Sequence, residues 1–175
     1  MIRRRSVLSG MAAGMAWAAE AAGLAAEAPG AATQPPGVFK MQPIGRVEKS
    51  AQTTILRIAT EYVPGLLGLD GFSHVVVLYW FDRNDTPANR KILQVHPRGD
   101  KRNPLTGVFA CRSPFRPNLI ALSICRIVSI QDGAVKVDAI DAFDQTPILD
   151  LKPYIPALDS ATEIKLPKWM GAKQR

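Results

Sequence analysis

The chain has 175 residues, enough for one ordinary domain and little more. Apolar residues make up 47% of it, sufficient for a core, and its net charge of +7 suits an anionic partner such as nucleic acid. Two histidines and no C-x-x-C are too few for a zinc site with standard ligands, so no metal is expected. Cys111 and Cys125 read as two free, buried thiols, with a disulfide between them as the alternative.

Residues 1–28 do not read as domain sequence. Arg3-Arg4-Arg5-Ser6-Val7-Leu8 has the form of a twin-arginine export signal, followed by 14 uncharged residues from Ser6 to Ala19. That run is too short for a transmembrane helix, which needs about 20 residues. Either the segment is a signal peptide that sends the protein to the periplasm, or it is upstream sequence before a start at Met41 in a cytoplasmic protein. Residues 29–40 are rich in Pro, Ala and Gly and read as a linker.

From Val38 the pattern is of short strands and turns. Ile44–Val47 and Thr53–Ile58 are expected strands. Pro64-Gly65 and Leu69-Asp70-Gly71 mark turns. Ser73–Phe81 is apolar almost throughout, as a strand buried on both faces would be. Asp82–Lys91 is polar and reads as a loop. Gly107–Ala110 starts a strand that leads into Arg112–Asn118, a stiff segment because Pro114 and Pro117 fix φ and remove donors. Arg112 and Arg116 on this strut suit a carboxylate or phosphate; solvated arginines on a structural turn are the plain alternative. Ile120–Ile130 is long and apolar, and Gln131-Asp132-Gly133 signals a hairpin. Val135, Val137 and Ala139 alternate with Lys136 and Asp138, as in a half-exposed strand. Ile148–Leu151 is the last strand, and residues 161–175 form a basic tail. The expected architecture is all-β, a small single-domain β-barrel over residues 41–160. No Gly-rich strand-turn-helix marks a dinucleotide fold.

Arg112-Ser-Pro-Phe-Arg-Pro-Asn118, followed by Asp141-x-x-Asp144-x-Thr-Pro-x-Leu-Asp150-x-Lys-Pro-Tyr-Ile-Pro156, resembles the signature of the TsaA-like (TrmO) family. Blocks at Pro43–Val47, Leu66–Phe81 and Leu93–Asp100 fit it too, so the resemblance spans about Gln42 to Asp159. It implies a small β-barrel methyltransferase that uses S-adenosyl-L-methionine and acts on the exocyclic amine of N6-threonylcarbamoyladenosine beside the tRNA anticodon. It also implies a homodimer.

Carried over by motif, Arg112 would hold the cofactor carboxylate and Leu122 would pack on the cofactor. Asp138, Ala139, Ile140 and Asp141 would line the same pocket, with Asp82 and Arg83 beside it. Asp144 or Asp150 would accept the amine proton, unless each is a hydrogen-bonded turn carboxylate. Tyr154 would stack on a base or belong to the core. Arg116, Asn118 and Lys152 are candidates for the substrate side. His96 and Arg98, beside Lys101 and Arg102, would meet tRNA phosphates or form a solvated loop. The chain departs from the family pattern at Ala121 and Gln145, where glycine is usual, and at Asp82, where histidine is common. Those departures and the export-like front leave a second reading, an exported barrel that binds the cofactor or a nucleoside without chemistry.

Overall fold

A computed structural model of the chain describes residues 37–170. The proposed signal segment, most of the linker and the last five residues lie outside the described residues. Six strands close into an antiparallel barrel in the order β1-β2-β7-β6-β3-β8. They are β1 (Gly45–Lys49), β2 (Thr54–Ile58), β3 (His74–Trp80), β6 (Ile120–Gln131), β7 (Ala134–Val137) and β8 (Pro147–Pro153). Two short strands, β4 (Gln94–Val95) and β5 (Thr106–Gly107), pair beside the barrel. The all-β barrel expected from the sequence is thus the observed fold. Closure gives each of the six barrel strands two neighbours, so none of them is an edge strand.

Alternation fills the interior. Val47, Leu56, Val75, Val77, Val135 and Ile148 all point inward and are fully buried. On β3 the outer residues are covered as well: Val76 is 9% exposed and Leu78 and Trp80 are half-buried, as the unbroken apolar run required. On β6 the outer face is open, with Leu122 and Ile124 39% and 50% exposed. The hairpin between β6 and β7 turns on Asp132 and Gly133, both at positive φ, the geometry a two-residue Asp-Gly loop favours.

Several segments differ from the sequence reading. Gly107–Ala110 does not begin a barrel strand: after the two-residue β5 it turns into a short 3-10 helix at Val108–Ala110. Residues 60–66 and 69–71 tighten into 3-10 turns. Part of the polar stretch after β3 is a single helical turn, α1 (Pro87–Arg90), with Pro87 at its first position. The Thr86 side chain caps it by accepting from the Asn89 N–H at 3.1 Å. Both cysteines are free, Cys125 buried and Cys111 half-buried, and burial pushes the Cys125 thiol up to about 11.

Gly45 sits at the barrel seam, where β1 pairs with both β2 and β8. A Cβ there would lie 2.2 Å from the Arg57 carbonyl oxygen. Gly45→Ala is expected to lower stability by about 1–3 kcal/mol in chemical denaturation. Gly65→Ala, where a Cβ would meet nothing within 4 Å, serves as the control and is expected to stay close to wild type.

Candidate active site

Irregular segments carry carbonyls with no strand partner, and these need donors from elsewhere. At one end of the barrel they come from basic side chains and a tyrosine. Arg116 turns back along the strut and donates through Nε to Ser113 O (2.9 Å) and through Nη2 to Val108 O (3.0 Å) and Cys111 O (2.9 Å). Arg90 of α1 donates to Pro117 O at 2.7 Å and pairs with Asp85 at 2.6 Å. The strut is stiff because proline limits its torsions and two guanidiniums bind its carbonyls. In the structure Arg116 Nε and Nη2 serve the backbone.

A second segment, residues 138–146, crosses the same end. Lys49 Nζ donates to the carbonyls of Ile140 (2.9 Å) and Ala142 (3.0 Å). The Tyr79 hydroxyl, inside the barrel, donates to the Asp141 carbonyl and lies 3.2 Å from Ser123 Oγ. Burial is the main reason the Tyr79 phenol titrates above its usual range. Asp144 Oδ1 accepts from the Lys49 N–H at 2.8 Å. Asp138 Oδ1 accepts from Ala139 N–H (2.8 Å) and Arg126 N–H (3.1 Å), bonds that hold its carboxyl below the usual range.

Two cavities open between these segments. The smaller, about 330 Å³, is lined by Asp82, Arg83, Arg112, Asp141 and Phe143, with Tyr79 at its base. The Arg83 guanidinium lies 4.1 Å over the Phe143 ring and its Nη2 is 3.5 Å from Asp144 O. The larger, about 1200 Å³, runs past His96, Arg98, Lys101, Phe109 and Phe115 to Trp169. Arg112, Pro114 and Asp141 line both cavities and so mark their junction. Arg112 makes no hydrogen bond or ion pair among the described residues, which leaves its fork open to a carboxylate.

The structure therefore brings Asp82, Arg83, Arg112 and Asp141 together and places His96 and Arg98 in the adjoining groove. Other sequence candidates fall elsewhere. Leu122 lies on the outer face of β6, opposite Leu78, and lines neither cavity. Ile140 is core, 5% exposed, and Ala139 and Asp138 serve the crossing segment. Asp150 and Lys152 form an ion pair of 2.7 Å on the outer face of β8, and Asp150 Oδ1 also accepts from the Leu151 N–H. Tyr154 packs edge-on to His74 and bonds Ser160 at 2.9 Å. Its N–H donates to the His74 carbonyl at the start of β3, whereas the small cavity lies beyond Trp80 at the end of that strand, roughly 20 Å away at the usual rise. Asp144, Asp150 and Tyr154 thus do not converge. Asn118 is exposed on the strut. Arg102 is engaged by Asp100 at 2.6 Å, a pairing that pulls the carboxyl down to about 2. Arg98 and Lys101 line the groove and Arg102 does not. His96 Nδ1 faces the Asn103 carbonyl at 2.8 Å, so Nδ1 carries the proton there.

Sequence reasoning missed Phe109, Phe143 and Trp169. The signal for Trp169 was an aromatic in an otherwise polar tail; the others lay in plain view beside the signature charges. Among the described residues no group of three His, Cys, Asp or Glu could hold a metal ion.

The sequence model of the tRNA-methyltransferase O N-terminal domain matches residues 38–160. The chain belongs to that family. A probable S-adenosyl-L-methionine-binding protein of Methanocaldococcus jannaschii is 47% identical over 122 residues, 70% of this chain and 97% of that protein. The mouse tRNA (adenine(37)-N6)-methyltransferase is 41% identical over 101 residues, 58% of this chain and 23% of the mouse protein. The crystal structure of TrmO from Pseudomonas aeruginosa superposes with a TM-score of 0.57 at 26% identity, covering 73% of this chain and 61% of that one.

The two strut arginines are expected to separate by stability. Arg116→Ala, which leaves three carbonyls without their donor, should cost about 2 kcal/mol and lower Tm by about 4–8 °C. Arg112→Ala should stay within about 0.5 kcal/mol of wild type by the same calorimetry.

Proposed function

We propose that the protein is an S-adenosyl-L-methionine-dependent methyltransferase acting on the exocyclic N6 of a tRNA adenosine, N6-threonylcarbamoyladenosine beside the anticodon. The single observation that carries this is the junction: Arg112 and Asp141 stand where a small pocket meets a larger groove that carries Arg98 and Lys101. A cofactor in the first can there present a methyl group to a substrate in the second. The family and the names of the relatives at 47% and 41% identity support the same reading.

The residues of the small cavity fit the cofactor's chemistry. Its volume of about 330 Å³ lies within the range of small-ligand sites. Arg112 would hold the amino-acid carboxylate in bidentate fashion, and Asp82 would accept from ribose hydroxyls. Phe143, fixed under Arg83, offers an apolar wall to the adenine. When bound, S-adenosyl-L-methionine supplies an electrophilic methyl on a sulfonium and leaves as the neutral thioether. The chain's part is to align a poor nucleophile, whose lone pair is drawn into the purine ring. Asp141, the carboxylate shared by both cavities, takes the proton that the amine gives up as the new N–C bond forms. His96, Arg98 and Lys101 line a groove large enough for a base that carries a carboxylate-bearing substituent and flanking phosphates.

Leu122 and Ile124, exposed on β6, form an apolar strip that a second copy would cover, and a homodimer is part of the reading. Because tRNA and its methyl donor are cytoplasmic, so is the protein under this proposal.

Labelled methyl from the cofactor should appear in tRNA. Arg112→Ala should weaken cofactor binding at least tenfold by calorimetry. Asp141→Asn should lower kcat by about a hundredfold while cofactor affinity changes little. No transfer to any tRNA pool by wild-type protein would contradict the reading.

A further inference from the structure

The family match ends at residue 160, yet the chain beyond it reaches the site. Residues 168–170 form a short 3-10 turn, closed by Met170 N–H donating to Pro167 O at 2.9 Å. Trp169 and Met170 are half-buried there and line the large groove. This does not suit a solvated basic tail, in which a tryptophan would have no reason to turn inward. Phe109, 81% exposed, and Phe115 line the same groove. Phe109, Phe115, Trp169 and Met170 together give this one groove an apolar and aromatic lining, which distinguishes them from apolar side chains scattered singly over a surface. Among the charged residues that line the groove three are basic, Arg98, Lys101 and, at the junction, Arg112, against one acidic residue, Asp141.

Aromatic faces among cations select a flat, π-rich and anionic ligand, which describes a nucleotide. We infer that Trp169 is a substrate-binding residue, stacking on the target adenine in the large groove while Arg98 and Lys101 meet the adjacent phosphates. Stacking holds the base flat, with its edge toward the junction at Asp141. The C-terminal segment thereby completes the acceptor site that residues 38–160 leave open on one side. This inference rests on the methyl-transfer reading for the position of the reacting amine, but the binding of the base does not depend on transfer.

The test uses the full chain and an anticodon stem-loop RNA carrying N6-threonylcarbamoyladenosine. Trp169→Ala should raise KM for this RNA about five- to hundredfold, the span of one lost base stack, with cofactor affinity within about twofold of wild type. Trp169→Phe, which keeps a ring, should recover most of that loss. RNA should also quench the fluorescence of the wild-type protein, and the quench should vanish in Trp169→Phe. An unchanged KM in Trp169→Ala with an undiminished quench in Trp169→Phe would overturn the inference while leaving methyl transfer intact. A quench that depends on Trp169 in a protein that transfers no methyl would uphold the inference and overturn the reading of the chemistry. Neither quench nor transfer would overturn both.

Discussion

Loop carbonyls must find donors, and in this protein that requirement builds the site. The barrel satisfies its own backbone, but the strut at residues 111–118 and the crossing segment at 138–146 cannot. Arg116, Arg90, Lys49 and Tyr79 reach from neighbouring positions and donate to seven carbonyls: those of Val108, Cys111, Ser113, Pro117, Ile140, Asp141 and Ala142. Bonds from charged donors are the stronger kind, and several to one segment fix it in place. The two irregular walls are thereby tied down by side-chain donors. Between them Arg112 and Asp141 line both cavities, so a pocket arises without a helix or a glycine-rich loop.

Much of the barrel was legible because strand signals are local. The Val135-Lys136-Val137 alternation and the Asp132-Gly133 turn each predict one element from a few residues, and both appear as expected. The site was legible in part. Asp82, Arg83, Arg112 and Asp141 converge, but the pairing of strands decides that, and pairing is not written in any single segment. Tyr154 shows the converse. It belongs to the same signature block as Asp144, yet β8 carries it down the length of the barrel to His74. The backbone bonds of Arg116 were not legible for a chemical reason: a guanidinium fork suits backbone carbonyls as well as carboxylates, and sequence does not say which is nearer.

The departures from the family's glycines resolve separately. Ala121 lies in the extended strand β6, 5% exposed and paired with Tyr79, where a glycine's freedom has no use. Gln145 does take the left-handed conformation, at φ +66. Its N–H donates to Val47 O at 2.7 Å, a backbone bond that a glycine would make as well, so the side chain's cost there is roughly 1–2 kcal/mol. The turn survives the substitution, and with it the position of Asp144 against Lys49.

The central claim is that Arg112 and Asp141 mark the point where cofactor and substrate meet. The most direct measurement is a crystal structure of the full chain with S-adenosyl-L-methionine. The account predicts the amino-acid carboxylate within about 3 Å of the Arg112 guanidinium, the adenosine between Asp82 and Phe143, and the methyl group facing the groove beside Asp141. A cofactor bound away from Arg112, or with its methyl turned from the groove, would contradict it.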